Sequence, residues 1–138
     1  MNTKQRLKRF LDAQYSDYEV ALAEIKSGRK RSHWMWYIFP QIAGLGSTAT
    51  SRHYAIKNIS EASDFLFDET LGPRLVKICK ILLELPTNDA FEVFGDPDYL
   101  KRRSSMTLFY AVPAASPYSG RYWINFISAN GINARWIF

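Results

Sequence analysis

Leu71-Gly72-Pro73-Arg74-Leu75-Val76-Lys77-Ile78-Cys79-Lys80-Ile81-Leu82-Leu83-Glu84-Leu85-Pro86 is the stretch that decides the fold class. Its apolar positions recur three and four residues apart. Leu75, Ile78, Cys79, Leu82 and Leu83 or Leu85 form one stripe, as the period of an α-helix requires. Pro73 suits a first helical turn, where a missing amide N–H costs nothing, and Pro86 stops the run. Cys79 sits within the stripe and reads as a small buried hydrophobe; a single cysteine allows no internal disulfide.

Working outward, the same punctuation recurs. Ser60 is a candidate cap for a helix carrying Ala62, Phe65 and Leu66. Thr87 or Asn88 can cap a shorter helix through Phe91 and Phe94, ended by Gly95. Asp96-Pro97 then reads as an acid cap with proline in the first turn of a helix running to about Val112. Nearer the start, Ser16 and Glu19 have the spacing of a capping box ahead of Tyr18, Leu22 and Ile25, and Gly28 suits the stop. Between these helices lies His33-Trp34-Met35-Trp36-Tyr37-Ile38-Phe39-Pro40-Gln41, which reads as a buried strand or an irregular buried segment. Gly44-Leu45-Gly46-Ser47-Thr48 is a loop, followed by a short helix through Arg52, Tyr54 and Ile56. The expected architecture is all-α, a compact multi-helix single domain with an irregular aromatic segment.

The composition bounds the partners. A chain of 138 residues with 47% hydrophobic residues can bury one core without staples. No apolar stretch is long enough for a signal peptide or a membrane span, so a cytoplasmic location and no membrane partner are expected. The net charge of +5 favours an anionic partner, either nucleic acid or a small phosphorylated ligand. Two histidines and one cysteine, far apart, give no metal-ligand spacing, and no cofactor is expected.

Three groups of residues can carry chemistry. In the loop, Gly44 and Gly46 let backbone amides approach an anion, with Ser47 and Thr48 as hydroxyl donors and a helix N-terminus beyond. The bland alternative is a tight turn. In the aromatic segment, alternation places Trp34 and Trp36 on one face, able to stack on a base-like ring, and His33 on the other as a candidate acid or base. The alternative there is plain core packing, with His33 as a hydrogen-bonded orienting residue. On the last helix, Asp98, Lys101, Ser104, Ser105 and Thr107 offer an acid, an amine and hydroxyls at helical spacing, suited to a phosphate or ribose. A solvated face with hydroxyls bonded to neighbouring backbone competes with that reading.

These motifs carry a resemblance. Arg9-Phe10, Gly28-Arg29-Lys30, His33-Trp34-Met35-Trp36, Phe39-Pro40-Gln41, Gly44-Leu45-Gly46-Ser47, Leu71-Gly72 and Ser104-Ser105-Met106-Thr107-Leu108-Phe109 resemble the domain-of-unknown-function family DUF1810. The resemblance implies a compact helical fold and brings no activity with it. More remotely, His53-Tyr54-Ala55-Ile56-Lys57, Glu61-Ala62, Phe94-Gly95 and Pro97-Asp98 are similar to the NADAR family, linked to ADP-ribose and to N-glycosidic bond cleavage. That resemblance implies Glu61 as a candidate general base, to set beside His33 and Asp98; Gln41 and Tyr54 are expected to line the same pocket as Trp36, Asp98 and Lys101. Glu61 also reads as an ordinary first-turn acid of a helix.

Residues 1–116 form the domain that carries the DUF1810 resemblance, and residues 117–138 depart from its pattern. From Tyr122 to Phe138 there is one charged residue, Arg135, and a hairpin-like turn at Asn130-Gly131. The genetic code offers a reason. Codons for Arg121 to Phe138 can be chosen so that the frame starting at each third base reads VLDKFYQRQRDKRTLDI, which contains a family-like charged tail. We therefore read the C-terminus as a frameshifted product, with a genuine divergent tail as the alternative.

Two functions from different classes follow. One is a pocket for a nucleotide-like or ADP-ribose-like anionic ligand, with N-glycosidase activity as its enzymatic form. The other is a nucleic-acid-binding module using Arg29-Lys30-Arg31, Arg52 and Lys101-Arg102-Arg103 as one exposed stripe; an adaptor domain without a small ligand is the third possibility. For the tail, the gene is expected to spell that charged string in its third-base frame over codons 121–138. Codons incompatible with it, read from the nucleotide sequence, would restore the divergent tail.

Overall fold

The computed structural model describes residues 2–87 and 89–112. The tail from residue 117 onward, its turn at Asn130-Gly131 and the candidate cap Asn88 lie outside the described residues. Among the described residues the elements are α1 (Thr3–Lys26), α2 (Met35–Ile38), α3 (Ala49–His53), α4 (Ile59–Phe67), α5 (Leu71–Leu83), α6 (Ala90–Phe94) and α7 (Asp98–Tyr110). The expected all-α architecture is what forms. The helix over α5 is as the stripe predicts, burying Leu71, Leu75, Ile78 and Leu82.

Several caps differ from expectation. Asn2, not Ser16, starts the first helix: its side chain accepts from Gln5 N while Gln5 reaches back to Asn2 N, a complete capping box. Ser16 is an exposed mid-helix residue. Asn58, not Ser60, caps α4, accepting from Glu61 N at 2.9 Å. Asp89 caps α6 by accepting from Phe91 N, and α7 starts after Pro97 with no side-chain cap. The aromatic segment is neither strand nor fully irregular, because its centre closes one helical turn as α2.

Helix α1 packs on α5 and α2, while α4 packs on α5 and α7, and α7 also meets α6 and α2. Phe10 lies at the centre, edge-on to Phe65 at 5.2 Å, and Phe65 meets Phe109 at 5.4 Å. Trp34, Phe39 and Phe94 form a second aromatic group, with Phe39 and Phe94 rings 5.7 Å apart. Such edge contacts add to the area burial that drives the core together. Cys79 lies with its sulphur 3.9 Å from that of Met106, and desolvation pushes its thiol up to about 12, so it behaves as packing rather than as a nucleophile.

Two polar devices hold the pieces in register. Glu24 of α1 accepts from Arg31 N, Ser32 N, Ser32 Oγ and Trp34 Nε1, and Gln14 donates to the Tyr37 carbonyl at 2.7 Å. Desolvation pushes the Glu24 carboxyl up, but those four hydrogen bonds outweigh it and hold the group at about 2. The second device is a neck: Ile42 and Ile56 form a single parallel bridge, with Ala43 N donating to Ile56 O and Ile56 N to Gln41 O, both at 2.8 Å. It closes the excursion that carries the loop and α3.

Gly72 marks the closest approach of α4 and α5. A Cβ there would stand 2.0 Å from the Leu66 carbonyl oxygen. Gly72→Ala is expected to destabilise the fold by about 1–3 kcal/mol or more through overpacking, read as a lower urea midpoint. Glu24 supplies a second expectation. Its folded value lies below the ordinary one of 4.5, so its contribution is present above that pH and is lost as pH falls towards about 2. Melting temperatures between pH 5 and 2 should fall less steeply in Glu24→Gln than in the natural chain, although the variant starts less stable at neutral pH.

Candidate functional site

A cavity of about 600 Å³ opens between the loop–α3 excursion, the end of the aromatic segment and the first turns of α7. That volume is in the range of small-molecule sites. The aromatic segment contributes Trp36 and Gln41, the loop contributes residues 42–48, α3 and its end contribute Ser51, Arg52, Tyr54 and Ala55, and α7 contributes Leu100, Lys101 and Ser104 with Pro97 before it.

Each position has a local cause. In α2 successive residues turn by about 100°. Trp34 therefore points away from Trp36: it is buried in the core with its Nε1 on Glu24, whereas Trp36 is half-buried on the cavity wall. The expectation that the two indoles share a face fails for that reason. The same geometry separates Ser104, which lines the cavity, from Ser105, which is fully buried in the core face of α7. Thr107 is exposed, its hydroxyl donating to the Arg103 carbonyl one turn back at 2.9 Å.

The glycines of the loop have different reasons. Gly44 has φ 98°, in the left-handed region that a side chain resists. Gly46 is a contact: a Cβ there would lie 2.5 Å from Ser51 Oγ, so the loop presses on α3. Thr48 caps α3 by accepting from Ser51 N at 3.1 Å. With only five residues, α3 adds no macrodipole of consequence, contrary to the sequence expectation. Among the described residues, no hydrogen-bond acceptor is met by the amides of Gly44, Leu45, Gly46 and Ser47.

The charged lining has one sign. Among the described residues, Arg52 and Lys101 are present and no carboxylate or imidazole is. Lys101 Nζ sits 4.6 Å from the centroid of the Trp36 ring, a cation–π contact, and 3.5 Å from Asp98 Oδ1. Asp98 is not in the lining; its other oxygen is 2.7 Å from Lys30 Nζ.

Of the residues singled out from sequence, Trp36, Gln41, Gly44, Gly46, Ser47, Tyr54, Lys101 and Ser104 meet at this one hollow. Trp34, Ser105 and Thr107 do not. Neither do the three candidate acid–base residues. His33 is exposed, and Asp98 is engaged with two lysines. Glu61 is buried in an ion pair with Arg9 at 2.7 Å. It meets the cavity wall only through Arg9, whose guanidinium also donates to the Ala55 carbonyl. Breaking that buried pair would cost about 3–5 kcal/mol, the weight of a structural tie. Ser51, Ala55, Pro97 and Leu100 are among the lining residues that sequence reasoning did not place at the site; Arg52, on α3, was legible only as part of a basic stripe.

The comparisons with known proteins come down on one family. The model of "Protein of unknown function (DUF1810)" matches residues 4–130, which takes in part of the tail beyond residue 116. The crystal structure of the conserved hypothetical protein Rv1873 from Mycobacterium tuberculosis is similar throughout, with 37% identity and a TM-score of 0.78 over 95% of this chain and 93% of that one. No curated protein matches. This chain, helical fold and aromatic segment included, belongs to the DUF1810 family of proteins of unknown function.

Proposed function

We propose that the cavity binds a small anionic ligand of nucleotide-like or ADP-ribose-like type. The observation that carries this is the sign of the lining: among the described residues, two cations, Arg52 and Lys101, and no acid, in a hollow of small-molecule size. The half-buried Lys101 ammonium gains most from an anion that replaces its lost water, and the exposed Arg52 guanidinium adds a second positive charge that solvent screens more. The unengaged loop amides add neutral donors on the same wall. Trp36 and Tyr54 supply ring surface beside these donors, which suits a ligand with an aromatic or sugar part joined to phosphate.

Binding is better supported than bond cleavage. N-glycosidic hydrolysis needs a group that can take or give a proton within reach of the scissile bond. None of Glu61, His33 and Asp98 is in the lining, so the enzymatic form suggested by the NADAR resemblance has none of its candidate acid–base residues on this wall. The nucleic-acid reading is weaker still. Its stripe is interrupted, because Arg102 is 3% exposed and the Lys30 side chain 8%.

ADP-ribose titrated against the full chain should raise the melting temperature, equivalent to about 2.7 kcal/mol at a hundredfold excess over Kd. Arg52→Met and Lys101→Met are each expected to weaken that binding by roughly tenfold, with a shallower salt dependence. No stabilisation by ADP-ribose, ADP or pyrophosphate at millimolar concentration would overturn the proposal.

A further inference from the structure

A partly buried charge cluster stands beside the cavity. Lys30 lies in the segment after α1, its side chain 8% exposed and its Nζ 2.7 Å from Asp98 Oδ2. The Ser32 carbonyl accepts from the same ammonium, and the Trp34 ring lies 5.0 Å from it. Lys101, on the cavity side, shares the same carboxylate at the longer distance of 3.5 Å, from Nζ to Oδ1. The group is thus two ammoniums on one carboxylate, with the shorter contact made by the lysine that faces away from the ligand. Charges counted over the three side chains leave one positive charge unbalanced, and the only member in the lining is Lys101.

We propose that Lys30 sets the anion affinity of the cavity without touching the ligand: by occupying Asp98, it leaves the charge of Lys101 to the guest. This rests on the anion-binding reading above. Without Lys30, the Asp98 carboxylate would have Lys101 as its sole ammonium and would pull it from the Trp36 face into a neutral pair. Lys30 is a positioning residue in this arrangement, and its effect travels through Asp98.

The test compares an anionic probe, inorganic pyrophosphate, with an uncharged one, adenosine, by titration calorimetry on the full chain. Lys30→Met is expected to weaken pyrophosphate binding roughly tenfold while leaving adenosine binding within about twofold. Lys30→Arg should retain most of the pyrophosphate affinity. Lys30→Met/Asp98→Asn, which removes both charges of the shorter pair, should restore it to within about threefold. That double variant also carries the test if the single one does not fold. Equal losses for both probes, or no recovery in the double variant, would overturn the inference and mark Lys30 as a structural brace. Arg52→Met separates the two levels: if it weakens pyrophosphate binding and Lys30→Met does not, the role given to Lys30 fails and the anion pocket stands. Absence of pyrophosphate binding in the natural chain overturns both.

Discussion

The structure depends on how one long helix satisfies the polar groups of a short aromatic segment. Residues 33–40 are rich in apolar surface and form only one turn of helix, so most of their backbone has no ladder to join. Buried polar groups left unpaired cost about 1–3 kcal/mol each. Gln14, Asp17 and Glu24 meet that cost. They lie on one face of α1, and they take the Tyr37 carbonyl, the Tyr37 hydroxyl and the Trp34 indole N–H with the amides before it. Once Trp34 is fixed in the core, the helical turn that follows leaves Trp36 on the opposite side, at the cavity. The site inherits its geometry from those three polar side chains.

That same arrangement explains what the sequence conceals. Helix α5 is legible because its buried stripe is uninterrupted and its proline sits in the first turn. Helix α1 is longer than its apolar periodicity suggests, because polar anchors occupy its inner face and break the pattern just where packing is most specific. The asparagine at position 2 with glutamine three residues on was a usable start signal, since Asn2 and Gln5 have the spacing of a capping box. Alternation misassigned Trp34 because one closed turn replaces a strand. The candidate site was legible to the extent that chemistry is local, as in the Gly-Ser loop, Trp36 and Lys101. Arg52 and Lys101 carry the same charge in sequence as Arg29 and Arg102, and only tertiary contacts separate a cavity wall from a surface or a core.

Electrostatics then divides the acids from the cations. Glu61 is tied to Arg9 and Asp98 to Lys30, so both of these carboxylates have a partner outside the hollow. Among the described residues, the charged side chains of the wall are Arg52 and Lys101.

The neck at Ile42 and Ile56 has a wider consequence. A closed neck makes the stretch between them a detachable panel: its ends are pinned to each other while its interior, including Leu45, Ser47 and Arg52, faces outward and contributes little to the core. Replacing residues on such a panel alters what a guest meets without asking the helices to repack. A scaffold built this way can reshape the rim of its hollow through a few surface substitutions while the helices stay as they are.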